Sequence, residues 1–180
     1  IDWTPFFHAW ELKGTYPRIF ESRKMGEAAQ EVFAHGQQLL KELIEKKCLK
    51  SKAAFRFVPA QRLGQDILFF ADKQGREPLG CIPCVRQQRL MTGKPCLALA
   101  DFVASAEDGC LDHVGVFAVT AGIGADELAQ GYRLEGDDYR GIMVQVLADR
   151  LAEAGAEWLH RQARVFCGLE DDDAPVNMGN

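Results

Sequence analysis

Apolar positions between Ser22 and Lys47 recur every three or four residues, through Met25, Ala28, Ala29, Val32, Phe33, Leu39, Leu40, Leu43 and Ile44. That spacing predicts one long amphipathic helix with Glu and Lys on its outer face. Ser22 is the expected N-cap, and Lys46 and Lys47 fall where the negative end of a helix favours cations. The same period returns in a shorter helix over Ala125 to Tyr132 and in the longest one, Asp137 to Arg164. The latter's stripe is Ile142, Met143, Val146, Leu147, Leu151, Ala154, Trp158, Leu159 and Val165. Between these helices the pattern changes. Ala54 to Pro59, Asp66 to Ala71 and Glu77 to Ile82 read as short strands, with a hairpin turn at Asp72-Lys73-Gln74-Gly75. Cys84 to Thr92 reads as a short helix stopped by Gly93, and Cys96 to Val103 and His113 to Thr120 as two further strands. The first twenty residues are rich in aromatics but broken by Pro5, Gly14 and Pro17, so an irregular apron is expected there. Strands in one block flanked by helices favour α+β with a four- or five-stranded antiparallel sheet over a doubly wound parallel one. No repeat or linker divides the chain, which predicts one domain with a single core over residues 1–166. The acidic stretch 167–180 has no apolar stripe and reads as a solvated tail.

Composition narrows the class. With 47% hydrophobic and 26% charged residues the chain is an ordinary globular one. Its net charge of -5 speaks against a nucleic-acid partner, because phosphate backbones are held mainly by Lys and Arg. The longest weakly polar run, Pro95 to Ala106, is interrupted by Asp101 and falls short of the roughly 20 apolar residues a spanning helix needs. Neither a membrane segment nor a signal peptide is expected. The opening Ile1 reads as a cut from a longer chain. Cysteines at 48, 81, 84, 96, 110 and 167 are read as reduced thiols of a cytoplasmic protein, since a domain of this size does not need staples.

Several motifs carry chemistry in principle. Cys81-Ile82-Pro83-Cys84, placed after a strand and at a helix start, has the spacing of a redox pair, because a helix N-terminus lowers a thiol pKa. It supplies only two of four zinc ligands, and no second close pair completes them. Incidental small apolar residues are the plainer reading. Thr120-Ala121-Gly122-Ile123-Gly124 has the layout of an anion-cradling loop but lacks a third glycine and a Lys-Ser/Thr pair. Asp126 and Glu127 in the next turn oppose phosphate, so a tight turn is preferred. His8, His35, His113 and His160 have no metal spacing, and no Gly-x-Ser-x-Gly elbow anchors a hydrolase triad. Two carboxylates remain: Asp2 in the aromatic apron, and Glu153 one position off the apolar stripe of the last helix. Either can accept hydrogen bonds from ribose hydroxyls or a cationic amino group. Asp149, Glu153 and Glu157 also stand four apart, as acids on a solvated helix face do.

The residues themselves go further. Asp2-Trp3-Thr4-Pro5-Phe6-Phe7, Trp10, Gly14 and Tyr16-Pro17 are followed by Pro59-Ala60-x-Arg62-x-Gly64-x-Asp66, Arg86-Gln87-Gln88 and Leu99-Ala100-Asp101-Phe102-Val103-Ala104. Phe117-Ala118-Val119-Thr120, Asp137-Asp138-Tyr139 and Leu147-Ala148-Asp149-Arg150-Leu151-Ala152-Glu153-Ala154 complete the series. Together, in order as far as about Arg164, these blocks resemble the activation domain of cobalamin-dependent methionine synthase. The resemblance implies a C-shaped α+β domain with a twisted antiparallel sheet flanked by long helices. It implies binding of S-adenosylmethionine, whose methyl group goes to a cobalamin held by a separate module of the same enzyme after oxidation to cob(II)alamin, with an electron from a flavodoxin-type donor. By position, Asp2 and Glu153 are the implied acidic ligands to S-adenosylmethionine. Because cofactor and methyl donor carry the chemistry, no acid–base constellation is required of the domain.

The family's Arg-x-x-x-Gly-Tyr-x-x-Cys-Pro segment, which embraces the methionine carboxylate and adenine, does not occur in these 180 residues. The expectation is therefore a methyltransferase domain with its C-terminal part missing, not catalytically competent by itself. The alternative is a non-catalytic docking module for a cobalamin domain or reductase that has lost strong S-adenosylmethionine binding.

Overall fold

The structure, a computed structural model, describes residues 1–90 and 92–169. Two compact units divide it. One is built from residues 1–54 together with the chain from Ala118 onward, and the other from Phe55–Phe117. The buried apolar residues form two clusters to match, where a single core was expected.

The helical unit departs from expectation at its start. Residues Thr4–Ala9 form a six-residue helix, α1, inside the segment expected to be irregular. Pro5 suits a first helical turn, where its missing N–H is not needed. Asp2 Oδ1 accepts the Thr4 amide at 2.9 Å, which satisfies one of that turn's free donors. A 3₁₀ turn at Arg18–Glu21 leads to α2, Gly26–Glu45. The helix starts later than Ser22. Ser22 instead accepts the Met25 amide on its hydroxyl at 3.3 Å and the Gly26 amide on its carbonyl at 2.8 Å, holding the turn before the helix. A Cβ on Gly26 would meet the Phe20 carbonyl oxygen at 2.5 Å, so that close approach requires glycine. Helices α3, Ala125–Leu134, and α4, Asp138–Phe166, complete the unit.

The face α4 buries is narrower than its sequence stripe. Met143, Val144, Leu147, Ala148 and Leu159 are inside, whereas Ile142 and Trp158 point outward, Trp158 at 60% exposure. Inside, Phe6 and Phe7 are fully buried. Trp3 stands edge-on to Phe6 and to Phe33, with ring centroids 5.0 and 4.8 Å apart, a favourable aromatic geometry. Gly36 makes room on α2 for the Phe6 ring, since a Cβ there would lie 2.6 Å from Phe6 Cζ.

The sheet has four strands hydrogen-bonded in the order β3-β2-β1-β4: β1 Lys50–Leu63, β2 Asp66–Phe70, β3 Pro78–Pro83 and β4 Asp112–Ile123. β1 and β2 run antiparallel with Ala60 opposite Phe69, and β2 and β3 likewise with Ile67 opposite Ile82. The α+β class and the hairpins stand as expected. The Asp72 turn also stands, its carboxylate accepting the amides of Gln74, Arg76 and Glu77 at 2.7, 2.9 and 2.6 Å.

Two expected elements of the Phe55–Phe117 unit are replaced. Among the described residues of 84–92, none is helical. The Cys84 amide continues the ladder to the Gln65 carbonyl at 3.2 Å, and the Gln87 amide reaches across to the Leu97 carbonyl at 2.8 Å rather than back along a helix. The expected strand over Cys96 to Val103 gives way to a 3₁₀ turn at Leu99–Phe102. Asp101 enforces that turn by accepting the Ala98 amide at 2.9 Å. Arg86 fastens both segments, donating to Asp101 at 2.6 and 2.7 Å and to the Cys96 carbonyl at 2.6 Å. The Arg86 bond, joined by the Ala98 amide, holds the Asp101 carboxyl down at about 2. Of the expected tail, residues 170–180 lie outside the described residues.

Candidate functional site

Both acidic candidates belong to the helical unit. Asp2 is exposed immediately ahead of α1; its Oδ1 is engaged by the Thr4 amide, and no hydrogen bond to Oδ2 is found among the described residues. Glu153 lies in the middle of α4, its side chain 60% exposed, in a bidentate pair with Arg150 at 2.6 and 2.8 Å. The Arg150 side chain is only 13% exposed, so the buried cation fixes the carboxylate's position at the surface. Asp149, Glu153 and Glu157 are all exposed, and the solvated-face reading of this stretch describes the helix accurately. No hydrogen bond joins Asp2 to Glu153, although α1 packs against α4.

Each carboxylate keeps capacity for a ligand. A carboxylate oxygen has two acceptor positions, so Asp2 Oδ2 and the second lone pairs of both Glu153 oxygens remain available to hydroxyl or ammonium donors. The residues present therefore fit a ligand that offers ribose hydroxyls and a cationic amino group.

The thiol motif fits its proposed chemistry poorly. Cys81 is exposed on β3 and Cys84 is buried in the sheet unit's core, three residues further along an extended chain. At about 3.3 Å per residue their Cα atoms stand roughly 10 Å apart on opposite faces, whereas a disulfide needs about 4.4–6.8 Å. With no helix beginning at Cys84, the thiol-activating placement is also absent. At the glycine loop, Gly124 adopts φ +96° as the N-cap of α3, and a Cβ there would lie 2.9 Å from the Cys48 carbonyl oxygen. That is the requirement of a tight turn. Among the described residues no group of three or more His, Cys, Asp or Glu is arranged to hold a metal, and no helix is long and apolar enough to cross a membrane.

Sequence reasoning missed a cavity of about 250 Å³ between α2 and the start of α4, lined in part by His35, Glu42, Tyr139 and Arg140. Asp137-Asp138-Tyr139 stood out in the sequence only as a block without a role, and its α2 counterparts lie about a hundred residues earlier, with no local signal linking the two.

An antiparallel sheet and a helical unit define an α+β domain, with the carboxylates of Asp2 and Glu153 exposed on the helical unit. Comparison makes this specific. The family described as vitamin B12 dependent methionine synthase, activation domain, matches residues 1–177, and the chain belongs to that family. Among solved structures it is similar to the crystal structure of the MetH reactivation domain bound to AdoHcy, at 43% identity and a TM-score of 0.80. That match covers 91% of this chain and 50% of the solved one, so this chain spans about half the length of its structural relative.

Proposed function

We propose that this chain binds S-adenosylmethionine within a cytoplasmic, cobalamin-dependent methionine synthase and serves the reductive remethylation of its cobalamin. The observation that carries the reading is the 43% identical relative whose structure holds AdoHcy, a molecule that differs from S-adenosylmethionine by one methyl group. Residues 1–166 would form the ligand-bearing domain. Asp2 and Glu153 accept hydrogen bonds from the ligand's ribose hydroxyls and amino group, each charge-assisted bond contributing about 1.5–3 kcal/mol. Arg150 holds Glu153 in place and offsets the cost of bringing a carboxylate to a ligand surface. The work of these residues is enclosure and orientation. When bound, S-adenosylmethionine supplies the methyl group and the cobalamin of a separate module of the same 5-methyltetrahydrofolate-homocysteine methyltransferase receives it. The electron comes from a flavodoxin-type donor.

Calorimetric titration of the chain with S-adenosylmethionine tests the reading. A saturable, one-to-one heat is expected, and its absence at ligand concentrations that saturate the MetH reactivation domain would overturn it.

A further inference from the structure

The cavity between α2 and α4 is lined by two carboxylates, Glu42 and Asp137, and one guanidinium, Arg140, over an apolar floor. On α2, His35, Gln38, Leu39 and Glu42 follow helical spacing and so share one face. On the α4 side, Asp137, its N-cap, and Tyr139, Arg140 and Met143 also line the cavity. Leu39 and Met143 are buried, at 4% and 1% exposure, and make the floor.

The polar groups are held but not used up. Glu42 has two long partners, Gln38 Nε2 at 3.4 Å and Lys46 Nζ at 3.6 Å. Arg140 meets Asp137 only through Nε, at 3.6 Å, and its guanidinium lies 5.8 Å from the Tyr132 ring centroid. Its two terminal nitrogens have no hydrogen-bond partner among the described residues. Asp137 is occupied, accepting the Arg140 amide at 2.9 Å as the cap of α4. The Tyr139 hydroxyl and His35 Nδ1 satisfy each other at 3.0 Å, and Trp10 packs on the Tyr139 ring at 4.8 Å, so that wall is fixed.

A bare anion would face the Glu42 carboxylate, and a bare cation would face Arg140. A ligand carrying both charges meets both walls and leaves its tail on Leu39 and Met143. From this we infer that the α2–α4 cavity is a second binding site, for a free α-amino acid with an unbranched apolar side chain. The carboxylate sits on Arg140 in a fork-to-fork pair, the ammonium on Glu42, and the side chain on the floor. Neither Asp2 nor Glu153 lines this cavity, so the inference does not depend on the proposed S-adenosylmethionine site.

The test is amide chemical-shift titration of the full chain with L-norleucine, following His35 and Tyr139. Saturable shifts at both are expected. Hexanoate, which lacks the amine, and n-pentylamine, which lacks the carboxylate, should each bind at least about tenfold more weakly, the loss expected for one charge-assisted contact. Arg140→Met and Glu42→Gln should weaken norleucine to a similar degree, and Gln38→Trp, an exposed position at the mouth, should block it while the rest of the spectrum stays native. Asp2→Asn should leave norleucine binding unchanged. Absence of saturable shifts would overturn the inference, as would equal binding of hexanoate or indifference to Arg140→Met.

Discussion

The two units bury their apolar residues in different ways. The helical unit packs large side chains, with Trp3, Phe6, Phe7, Leu39, Leu43, Met143 and Leu147 in one cluster. The sheet unit's cluster relies on smaller ones, Val58, Ala60, Ala98, Ala100 and Val103, around Ile67 and Phe69, while Leu79, Val85, Leu90, Leu99 and Phe102 stay exposed. Polar clamps there fix what burial does not. Arg86 with Asp101, and Asp72 with the amides of its turn, hold segments that in the helical unit are held by rings. One unit is organised by packing, the other by packing supplemented with charge.

That contrast can be broken most forcibly at Phe6. Phe6→Ala should cost about 3–5 kcal/mol in chemical denaturation, because a fully buried ring leaves a cavity its aromatic neighbours cannot fill. A loss under about 1 kcal/mol would show that the helical core is not tightly packed. In the sheet unit, Ile67→Val should cost about 0.5–1.5 kcal/mol, the ordinary value for one deleted methylene.

Acid should separate the units next. Asp101 is held from its ordinary 3.8 down to about 2, first by the Arg86 hydrogen bond and then by the Ala98 amide. A depressed carboxyl stabilises the fold above its ordinary value and loses that contribution as pH falls toward the folded one. Protection of the Ala98 and Gln87 amides against hydrogen exchange, relative to their intrinsic rates, should therefore fall between about pH 4 and pH 2, while that of core amides of α2 holds. Asp101→Asn should make those two amides fast at neutral pH and remove the acid dependence. The smallest effect is expected at Trp158: with 60% of its surface exposed, Trp158→Ala should change stability by no more than about 0.5 kcal/mol, despite its place on the helix stripe.

What the sequence made legible follows the same division. Long periodic runs specify α2, α3 and α4 almost to their ends, because burying a large apolar face is a strong, local and repeated signal. Hairpins were readable through Asp72 and Gly75. The segment after Cys84 was not, because its conformation is decided by Arg86 reaching a carbonyl ten residues away and a carboxylate fifteen away. No window of propensity contains that information. The extent of the α4 face was overstated for a related reason: periodicity marks which positions align but not how far a partner surface extends beneath them. Asp2 and Glu153 are put forward through ordered blocks and not through geometry. Arg150, which orients Glu153, sits in the same block and went unremarked because an i,i+3 pair is common on solvated helices.

The central claim is that Asp2 and Glu153 hold S-adenosylmethionine, and calorimetric affinity of the two single variants tests it most directly. Asp2→Asn and Glu153→Gln keep shape while removing charge, and each should weaken binding by about 1–3 kcal/mol, roughly 5- to 150-fold. Thermal stability should be unchanged in Asp2→Asn and somewhat lowered in Glu153→Gln, which removes the counter-charge of Arg150. Affinity equal to that of the unaltered chain in both variants would contradict the account.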